Sequence, residues 1–312
     1  MTTSTKVLAM VKPTLELASQ PGPLLVIVGE TASGKSALAI NLAQRLNGEI
    51  ICADSWTVRR EVTIGTAKPT AQQQALVRHH LLDIVDPCGD FTAAVFKRLA
   101  NDKIKEITLR GKLPIMVGGT GLYIDGVLFN FNFLPAGDRA ERVVLNQLSV
   151  DQLQAKIAQQ GLDMGDIDKR NKRRLIRLLE TNGALQQRQP LRANTLILGL
   201  QTDREILALR ITERVDAMLA AGLESEVDNL QQQYGWDCEA LKGVGYSQWQ
   251  PYFLGQKSAA ELIATRQRIL KATLDLAKRQ RTWFKRNKSI HWLTTPVDLA
   301  TVVDLATTQL SK

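Results

Sequence analysis

A glycine-rich segment near the amino end constrains the fold of this chain more than any other feature. The segment is Gly29-Glu30-Thr31-Ala32-Ser33-Gly34-Lys35-Ser36. It fits the pattern GxxxxGK[ST] and lies between a short apolar run and a stretch of helical composition. Glycine lets backbone amides converge on phosphate oxygens, and the open amides at the start of a helix add the positive end of its dipole. The segment therefore predicts a phosphate-binding loop, or P-loop, in which all eight positions except Glu30 contribute to holding a diphosphate.

Short apolar runs alternate with helical stretches along most of the chain. The apolar runs are residues 24–28, 50–53, 113–117, 195–200 and 290–293. The clearest helical stretches are residues 35–46, 91–110 and 204–219. Such alternation is typical of a parallel sheet with crossover helices. We therefore predict an α/β fold, a parallel sheet of the P-loop NTPase type flanked by helices.

A polar segment interrupts this alternation. Residues 138–190 are rich in Gln, Asp and Arg and have few β-branched runs, so they predict a helical insertion domain. Residues 1–22 lead into the Pro21-Gly22-Pro23 turn and are predicted to form a flexible extension. The catalytic core then comprises residues 23–137 and 191–312, with a helical carboxyl-terminal part.

The charge and the apolar content of the 312-residue chain limit the partners and the cellular location that can be expected for it. The formal net charge of +9 favours a polyanionic partner, although a basic, soluble surface gives the same charge. No apolar stretch approaches the ~20 residues that span a bilayer, and none follows the amino terminus at signal-peptide length. We expect a cytoplasmic protein with no membrane attachment.

The three cysteines give little indication of a structural role. Cys52, Cys88 and Cys238 lie far apart and show neither CxxC pairing nor the His spacing of a zinc site. We therefore expect reduced thiols in a reducing compartment and no structural metal.

Two further polar residues follow predicted strands. Asp54 comes directly after the run 50–53, and Thr120 follows the run 113–117 within a glycine-rich turn. Ligands of open parallel sheets bind at the carboxyl ends of the strands, so both side chains should face the P-loop. Asp54 is suited to binding Mg²⁺ or to accepting a proton, or it caps the following segment. Thr120 lies either in the site or simply in a tight turn.

Taken together, these segments resemble one enzyme family, the tRNA dimethylallyltransferases, also called tRNA isopentenyltransferases. The matching segments are residues 29–36, 54–55, 64–69, 80–84, 118–123, 171–180, 214–219, 243–246 and 277–284. Many families share the P-loop, whereas IGTAKP at 64–69 and AKRQRTWF at 277–284 are far more particular. The resemblance covers nearly the whole predicted folded length.

The resemblance implies transfer of a dimethylallyl group from dimethylallyl diphosphate to N6 of the adenine 3′-adjacent to the anticodon of tRNA. It implies that Asp54 is the general base and that Thr120 and Arg214 hold the leaving diphosphate. The P-loop would bind the diphosphate with Mg²⁺, and Ser36 would supply a hydroxyl ligand to the metal. Dimethylallyl diphosphate and the tRNA anticodon stem-loop are thus the expected partners of a monomer.

Family positions that contact tRNA map onto two regions of this chain. They correspond to Asp54, Ser55, Trp56, Thr57, Thr120, Arg142, Arg173, Arg174 and Arg177. Arg174 and Arg177 stand three residues apart, so on a helix they share one face, which either contacts RNA or is merely solvated. In the tail, Arg279 and Arg281 are further candidate RNA ligands. Trp283 and Phe284 beside them either stack on bases or anchor the core.

The chain departs from the family pattern at three positions. Where the family usually reads DSxQVY, Thr57 replaces the Gln and Arg59 replaces the Tyr. Leu274 stands where the family generally has Arg. The Asp54, Lys35 and Thr120 positions are kept. We therefore expect the three replacements to affect tRNA affinity or target choice.

Three other functions share parts of this pattern. A prenyltransferase acting on a free adenine nucleotide needs the P-loop but no helical insertion or basic tail. A kinase or nucleotide-driven switch would carry adenine-contacting or switch motifs, and none is apparent. An inactive RNA-binding protein would have no need for Lys35, Asp54 and Thr120.

Overall fold

A single parallel sheet organises the protein. The computed structural model describes residues 21–310 except 136, 166 and 185, so the predicted extension at residues 1–22 lies almost wholly outside the described residues. The strands are β1 (Leu24–Gly29), β2 (Gly48–Cys52), β3 (His79–His80), β4 (Leu113–Gly118), β5 (Thr195–Gln201) and β6 (Ile290–Thr294). Their order across the sheet is β3-β2-β4-β1-β5-β6, and every neighbouring pair is parallel. The predicted fold class is thereby confirmed.

The central strands are buried along almost their whole length. β1, for example, reads Leu-Leu-Val-Ile-Val-Gly, and each of its residues is buried. Such continuous apolar runs are what a parallel strand covered on both faces requires. β3 has two residues, too few for an apolar run, and it is the strand that the sequence did not indicate.

The described residues also form α-helices, which lie between and after the strands along the chain. They are α1 (Lys35–Arg45), α2 (Ala71–Leu76), α3 (Ala93–Leu109), α4 (Gly121–Leu128), α5 (Arg139–Gln147), α6 (Val150–Gln159), α7 (Lys172–Glu180), α8 (Arg204–Ala220), α9 (Leu223–Tyr234), α10 (Gln250–Leu254), α11 (Ala259–Phe284) and α12 (Leu299–Leu310). The helical stretches predicted from the sequence correspond to α1, α3 and α8. Of the helices described, none is long and apolar enough to pass through a membrane.

The chain divides into two compact units. One comprises the chain up to Leu128 and from Arg192 onward, and it contains the sheet. Its core has two parts: α1 and α12 pack against the sheet, while α8, α9 and α11 enclose a second cluster around Tyr246 and Trp249. Both of these aromatic side chains are fully buried.

The other unit is Phe129–Leu191 and consists of α5, α6 and α7 with their connections. The predicted insertion, residues 138–190, falls inside this unit, whose contacts already begin at Phe129. Its own core contains Leu145, Leu153, Ile157, Leu175, Ile176, Leu178 and Leu179. Both α5 and α7 begin at a side-chain cap, Asp138 and Asn171 respectively, each accepting a backbone N–H two or three residues into the helix.

The expectation for the cysteines was wrong. Cys88 and Cys238 form a disulfide across 150 residues of sequence, while Cys52 is a buried free thiol. The fold brings the two segments together, since the N–H of Ala240 donates to the carbonyl oxygen of Pro87 at 3.0 Å. Spacing along the chain could not indicate this pair, because the contact is made between distant segments.

Candidate active site

Three loops meet at the carboxyl ends of β1, β2 and β4. The N–H of Thr120, after β4, donates to the carbonyl oxygen of Ala53 at 3.3 Å. The N–H of Ser55 donates in turn to Oγ1 of Thr120 at 3.0 Å. The neighbouring strand β1 leads into the P-loop. As the sequence predicted, Asp54 and Thr120 therefore lie at the same edge of the sheet as the P-loop.

The P-loop has the geometry expected of an anion cradle. Gly34 begins α1 with a φ of 94°, a left-handed conformation that favours glycine. The amide of Ser33 is occupied by the carbonyl oxygen of Glu30 at 3.2 Å, whereas the amides of Lys35, Ser36 and Ala37 precede the first intrahelical hydrogen bond, which Leu38 donates to Gly34. The hydroxyl of Ser33 is buried and has no hydrogen-bond partner among the described residues. An anionic ligand would satisfy these donors.

Lys35 is the principal cation of the loop. Its ammonium group donates to the carbonyl oxygen of Glu30. Burial and the nearby charge of Arg214 lower the pKa of Lys35 to about 8, and the carboxylates of Asp54 and Glu30 only partly oppose this. The lysine is thus held where it lacks a full counter-charge, and an anionic ligand would supply one.

The two carboxylate oxygens of Asp54 differ in their hydrogen bonding. Its Oδ1 accepts the N–H of Trp56 at 2.8 Å and the N–H of Thr57 at 3.2 Å. The capping interpretation is therefore correct for one oxygen. The hydrogen bonds of Asp54 within the described part of the chain all go to Oδ1, so Oδ2 is left to accept a proton or to bind a metal.

Arg214, on α8, connects the P-loop to the segment at 64–69. Its Nη1 donates to Oγ1 of Thr31 and its Nη2 to the carbonyl oxygen of Thr66, both at 3.3 Å. Burial lowers the pKa of the Arg214 guanidinium, and the charge of Asp54 opposes this effect. Arg214 is accordingly brought together with Lys35 and Asp54, as predicted.

The segment at 64–69 owes its conformation to a glutamate that the sequence did not single out. The carboxylate of Glu226 accepts the backbone N–H groups of Thr63, Ile64 and Gly65 at distances of 2.8–3.1 Å. The hydroxyl of Tyr246 donates to the same carboxylate at 2.6 Å. Burial raises the pKa of Tyr246, so this hydroxyl remains a donor. The arrangement fixes the chain that presents the Thr66 carbonyl to Arg214.

The donor groups at this edge fit Mg²⁺. The Ser36 side chain is exposed at the start of α1, and Oδ2 of Asp54 is open. Both are hard oxygen donors of the type that Mg²⁺ prefers, and this ion usually completes its shell with substrate phosphates and water. A protein cage of several carboxylates is not needed for such binding.

The tail segment contributes to the site through its buried face. The amide of Gln280 contacts both the P-loop and the turn before Thr120. Nε of Arg281 lies 2.7 Å from a carboxylate oxygen of the buried Glu30, and the indole N–H of Trp283 donates to Asp125 at 2.9 Å. Phe284 is fully buried. Both aromatic residues are therefore anchors of the fold, and of the two arginines only Arg279 is exposed.

Comparisons with known proteins agree with this geometry. The family model described as IPP transferase matches residues 57–287. A tRNA dimethylallyltransferase of Staphylococcus aureus is 38% identical over 306 residues, which cover 92% of this chain and 97% of the relative. The chain belongs to the tRNA dimethylallyltransferase family. It is therefore a prenyltransferase enzyme.

Solved structures place the transferase in the same fold. The full-length tRNA isopentenylpyrophosphate transferase of Bacillus halodurans is 35% identical, with a TM-score of 0.72, and the match covers 93% of this chain and 97% of that one. A eukaryotic dimethylallyltransferase acting on tRNA is 27% identical, with a TM-score of 0.74, and the match covers 93% and 77% of the two chains. The P-loop NTPase-like fold is thus shared with these enzymes.

Of the three departures of this transferase from the family pattern, Arg59 has a structural explanation. Arg59 is buried, and its Nη1 donates to the carbonyl oxygens of Pro87 and Gly89 at 2.9 and 2.7 Å, so it supports a loop. Thr57 is also buried, and its hydroxyl lacks a partner among the described residues. Leu274 is exposed on α11, and nothing in the structure explains it. The half-buried Trp56, which precedes Thr57, faces Gly243.

In the insertion unit, the four arginines assigned to tRNA fall into two groups. Arg142 and Arg177 both pair with the buried carboxylate of Glu180, at 2.7 and 3.2 Å. Arg173 and Arg174 are exposed and make no salt bridge within the described residues. Arg177 thus has an internal partner that Arg174 lacks among the described residues, and the tRNA assignment of all four stays a prediction.

We predict that pyrophosphate binding to this transferase weakens as the pH rises through about 8. Lys35 is charged below that pH and neutral above it, so in metal-free buffer the Kd should rise about tenfold between about pH 7 and about pH 9 relative to the Lys35→Ala variant. Pyrophosphate itself also titrates, and the comparison with the variant removes this contribution from the change in Kd. Isothermal titration calorimetry measures both constants, and the same pH dependence in the two proteins would contradict the prediction.

Proposed function

We propose that the enzyme transfers a dimethylallyl group from dimethylallyl diphosphate to N6 of the adenine 3′-adjacent to the anticodon in tRNA. The observation that carries this proposal is the convergence of the P-loop, Arg214 and the open Oδ2 of Asp54 at one edge of the sheet. Such a site joins a diphosphate cradle to a proton acceptor. The names of the relatives, which are tRNA dimethylallyltransferases, support the same reaction.

In the proposed reaction, the diphosphate is the leaving group. The allylic carbon–oxygen bond breaks and its electron pair stays on the diphosphate, where negative charge develops. Lys35, Arg214 and the open amides of α1 act on that charge, which is where stabilisation lowers the barrier. Thr120, at the same edge of the sheet, is proposed to help hold the leaving diphosphate. Mg²⁺, held by Ser36, would supply further positive charge to the diphosphate oxygens.

Asp54 is proposed to act on the acceptor. A bond forms between N6 of adenine and the allylic carbon, and the proton released from N6 passes to Oδ2 of Asp54. The adenine must leave its stack to reach this carboxylate, at a cost of about a few kcal/mol. A single-stranded loop lowers that cost, which makes the anticodon loop a suitable target.

The tRNA is proposed to contact two separate sets of residues, the loop that begins at Asp54 and the basic residues. The loop residues are Asp54, Ser55, Trp56 and Thr57, with Thr120 beside them. The exposed Arg173, Arg174 and Arg279 are able to contact phosphates without breaking an internal ion pair. Arg142, Arg177 and Arg281 would have to share their charge with Glu180 or Glu30.

The function is tested by following label from dimethylallyl diphosphate. The purified enzyme is incubated with Mg²⁺ and either unmodified tRNA, the same tRNA with guanosine in place of the target adenosine, or adenosine monophosphate. We expect label in the first substrate alone. Labelling of adenosine monophosphate would instead identify a small-acceptor prenyltransferase, and a requirement for ATP with a phosphorylated product would identify a kinase.

We predict that Asp54→Asn separates the two uses of this side chain. Asparagine keeps an Oδ1 acceptor for the amides of Trp56 and Thr57 but cannot take up the proton, so kcat should fall at least about 10²-fold. The KM for dimethylallyl diphosphate should change little. Single-turnover rates are the measurement, with the exposed Asp102→Asn as control. An unchanged rate would remove Asp54 from the role of base.

A second prediction concerns the exposed arginines of the insertion unit. Replacing Arg173 and Arg174 by alanine should reduce the slope of log K against log salt for an anticodon stem-loop by about one per arginine. Fluorescence anisotropy of a labelled stem-loop gives the slope. Arg45→Ala with Lys105→Ala removes the same charge from exposed positions elsewhere. Equal changes in the two double variants would show that only net charge matters.

A further inference from the structure

Gln280 is a buried polar residue near the carboxyl end of α11. Ala277, Gln280 and Phe284 are buried together, and their spacing places them on one side of the helix. A primary amide in such a position costs free energy unless its donors and acceptors are satisfied. The partners that satisfy it are not other helices but the two loops at the edge of the sheet.

The amide of Gln280 bridges these loops. Its Oε1 accepts the backbone N–H of Thr31, in the P-loop, at 2.7 Å. Its Nε2 donates to the carbonyl oxygen of Gly119, in the turn after β4, at 3.2 Å. One side chain is thereby bonded to the main chain of both loops.

The turn is shaped to accept this side chain. A Cβ atom at Gly119 would lie 2.1 Å from Nε2 of Gln280, so a larger residue there would displace the Gln280 amide from its present position. The backbone of Gly119 is not in the left-handed region, so the glycine serves here to leave room for the amide. The close approach of the amide is thus a built feature of the site.

Each end of the bridge continues into a group that the proposed reaction uses. Thr31 accepts a hydrogen bond from Arg214 through Oγ1. Gly119 precedes Thr120, whose Oγ1 accepts a hydrogen bond from the backbone N–H of Ser55. Ser55 in turn follows Asp54. We propose that Gln280 is a positioning residue that sets the separation between the diphosphate-binding loop and the Asp54 carboxylate. This inference rests on the proposed function, since the separation matters only if both groups act on one substrate pair.

Only glutamine has the required length together with both an acceptor and a donor. Methionine has a similar shape but cannot make either hydrogen bond with comparable strength. Ionised glutamate keeps an acceptor for the Thr31 amide but turns a second oxygen toward the Gly119 carbonyl. Gln280→Met therefore removes both hydrogen bonds of the bridge, whereas Gln280→Glu removes the one to Gly119.

The kinetic test compares Gln280→Met and Gln280→Glu with Gln267→Met, a control at an exposed position of the same helix. We expect kcat for prenyl transfer to fall about 10²-fold in both Gln280 variants, because a small displacement of reacting groups has this effect. KM for dimethylallyl diphosphate should change less than about threefold. Wild-type kcat in the Gln280 variants, or a rise in KM alone, would overturn the proposal.

A second measurement does not depend on activity. Gly119→Ala should lower the melting temperature in the wild-type background but not in Gln280→Ala, because the clash partner is then absent. Equal losses in the two backgrounds would show that the bridge is not formed and would overturn the inference. If the wild-type enzyme transferred no prenyl group, the proposed function would fail, while this melting cycle would still decide whether the bridge exists.

Discussion

Two half-buried cations at one edge of a parallel sheet are the constraint on which the rest of this structure depends. Lys35 and Arg214 lie close enough for the charge of the arginine to add to the effect of burial on the lysine pKa. Neighbouring carboxylates relieve this repulsion only in part. Side chains and loops around the cations hold them in place, notably through Thr31, Thr66 and the carboxylate of Glu226. A polyanion is the ligand that such an arrangement binds most favourably.

Much of this could be predicted from the sequence because the signals are local. Apolar runs gave five of the strands, and the P-loop pattern gave the cradle with its lysine. Asp54 was found because strand ends in open parallel sheets face the ligand. The supporting residues were missed because their partners are distant in sequence. Glu226 binds a segment some 160 residues away, and Gln280 binds the P-loop across 249 residues. The spacing of Ala277, Gln280 and Phe284 was the available signal that a glutamine was buried.

Charged residues illustrate the limit of pattern alone. Arg59 replaces the Tyr usual at that position and looked like an altered recognition residue, yet its guanidinium is buried against carbonyl oxygens. Arg142 and Arg177 looked like RNA ligands and already share Glu180. Guanidinium groups bind carbonyl, carboxylate and phosphate oxygens equally well in geometric terms, so composition cannot tell an internal pair from an external one. The structure shows which arginines have an internal partner, while their contacts with RNA remain predictions.

The division of labour within Asp54 limits how this enzyme can change. One oxygen shapes the backbone at Trp56 and Thr57, while the other remains open. A glutamate would carry its carboxylate one methylene further from the main chain and lose the short reach that an Asx-type turn needs. Altering the acid therefore also reshapes the surface that would receive the adenine. A change at this position therefore affects both the proposed proton acceptor and the backbone of the proposed tRNA-binding loop.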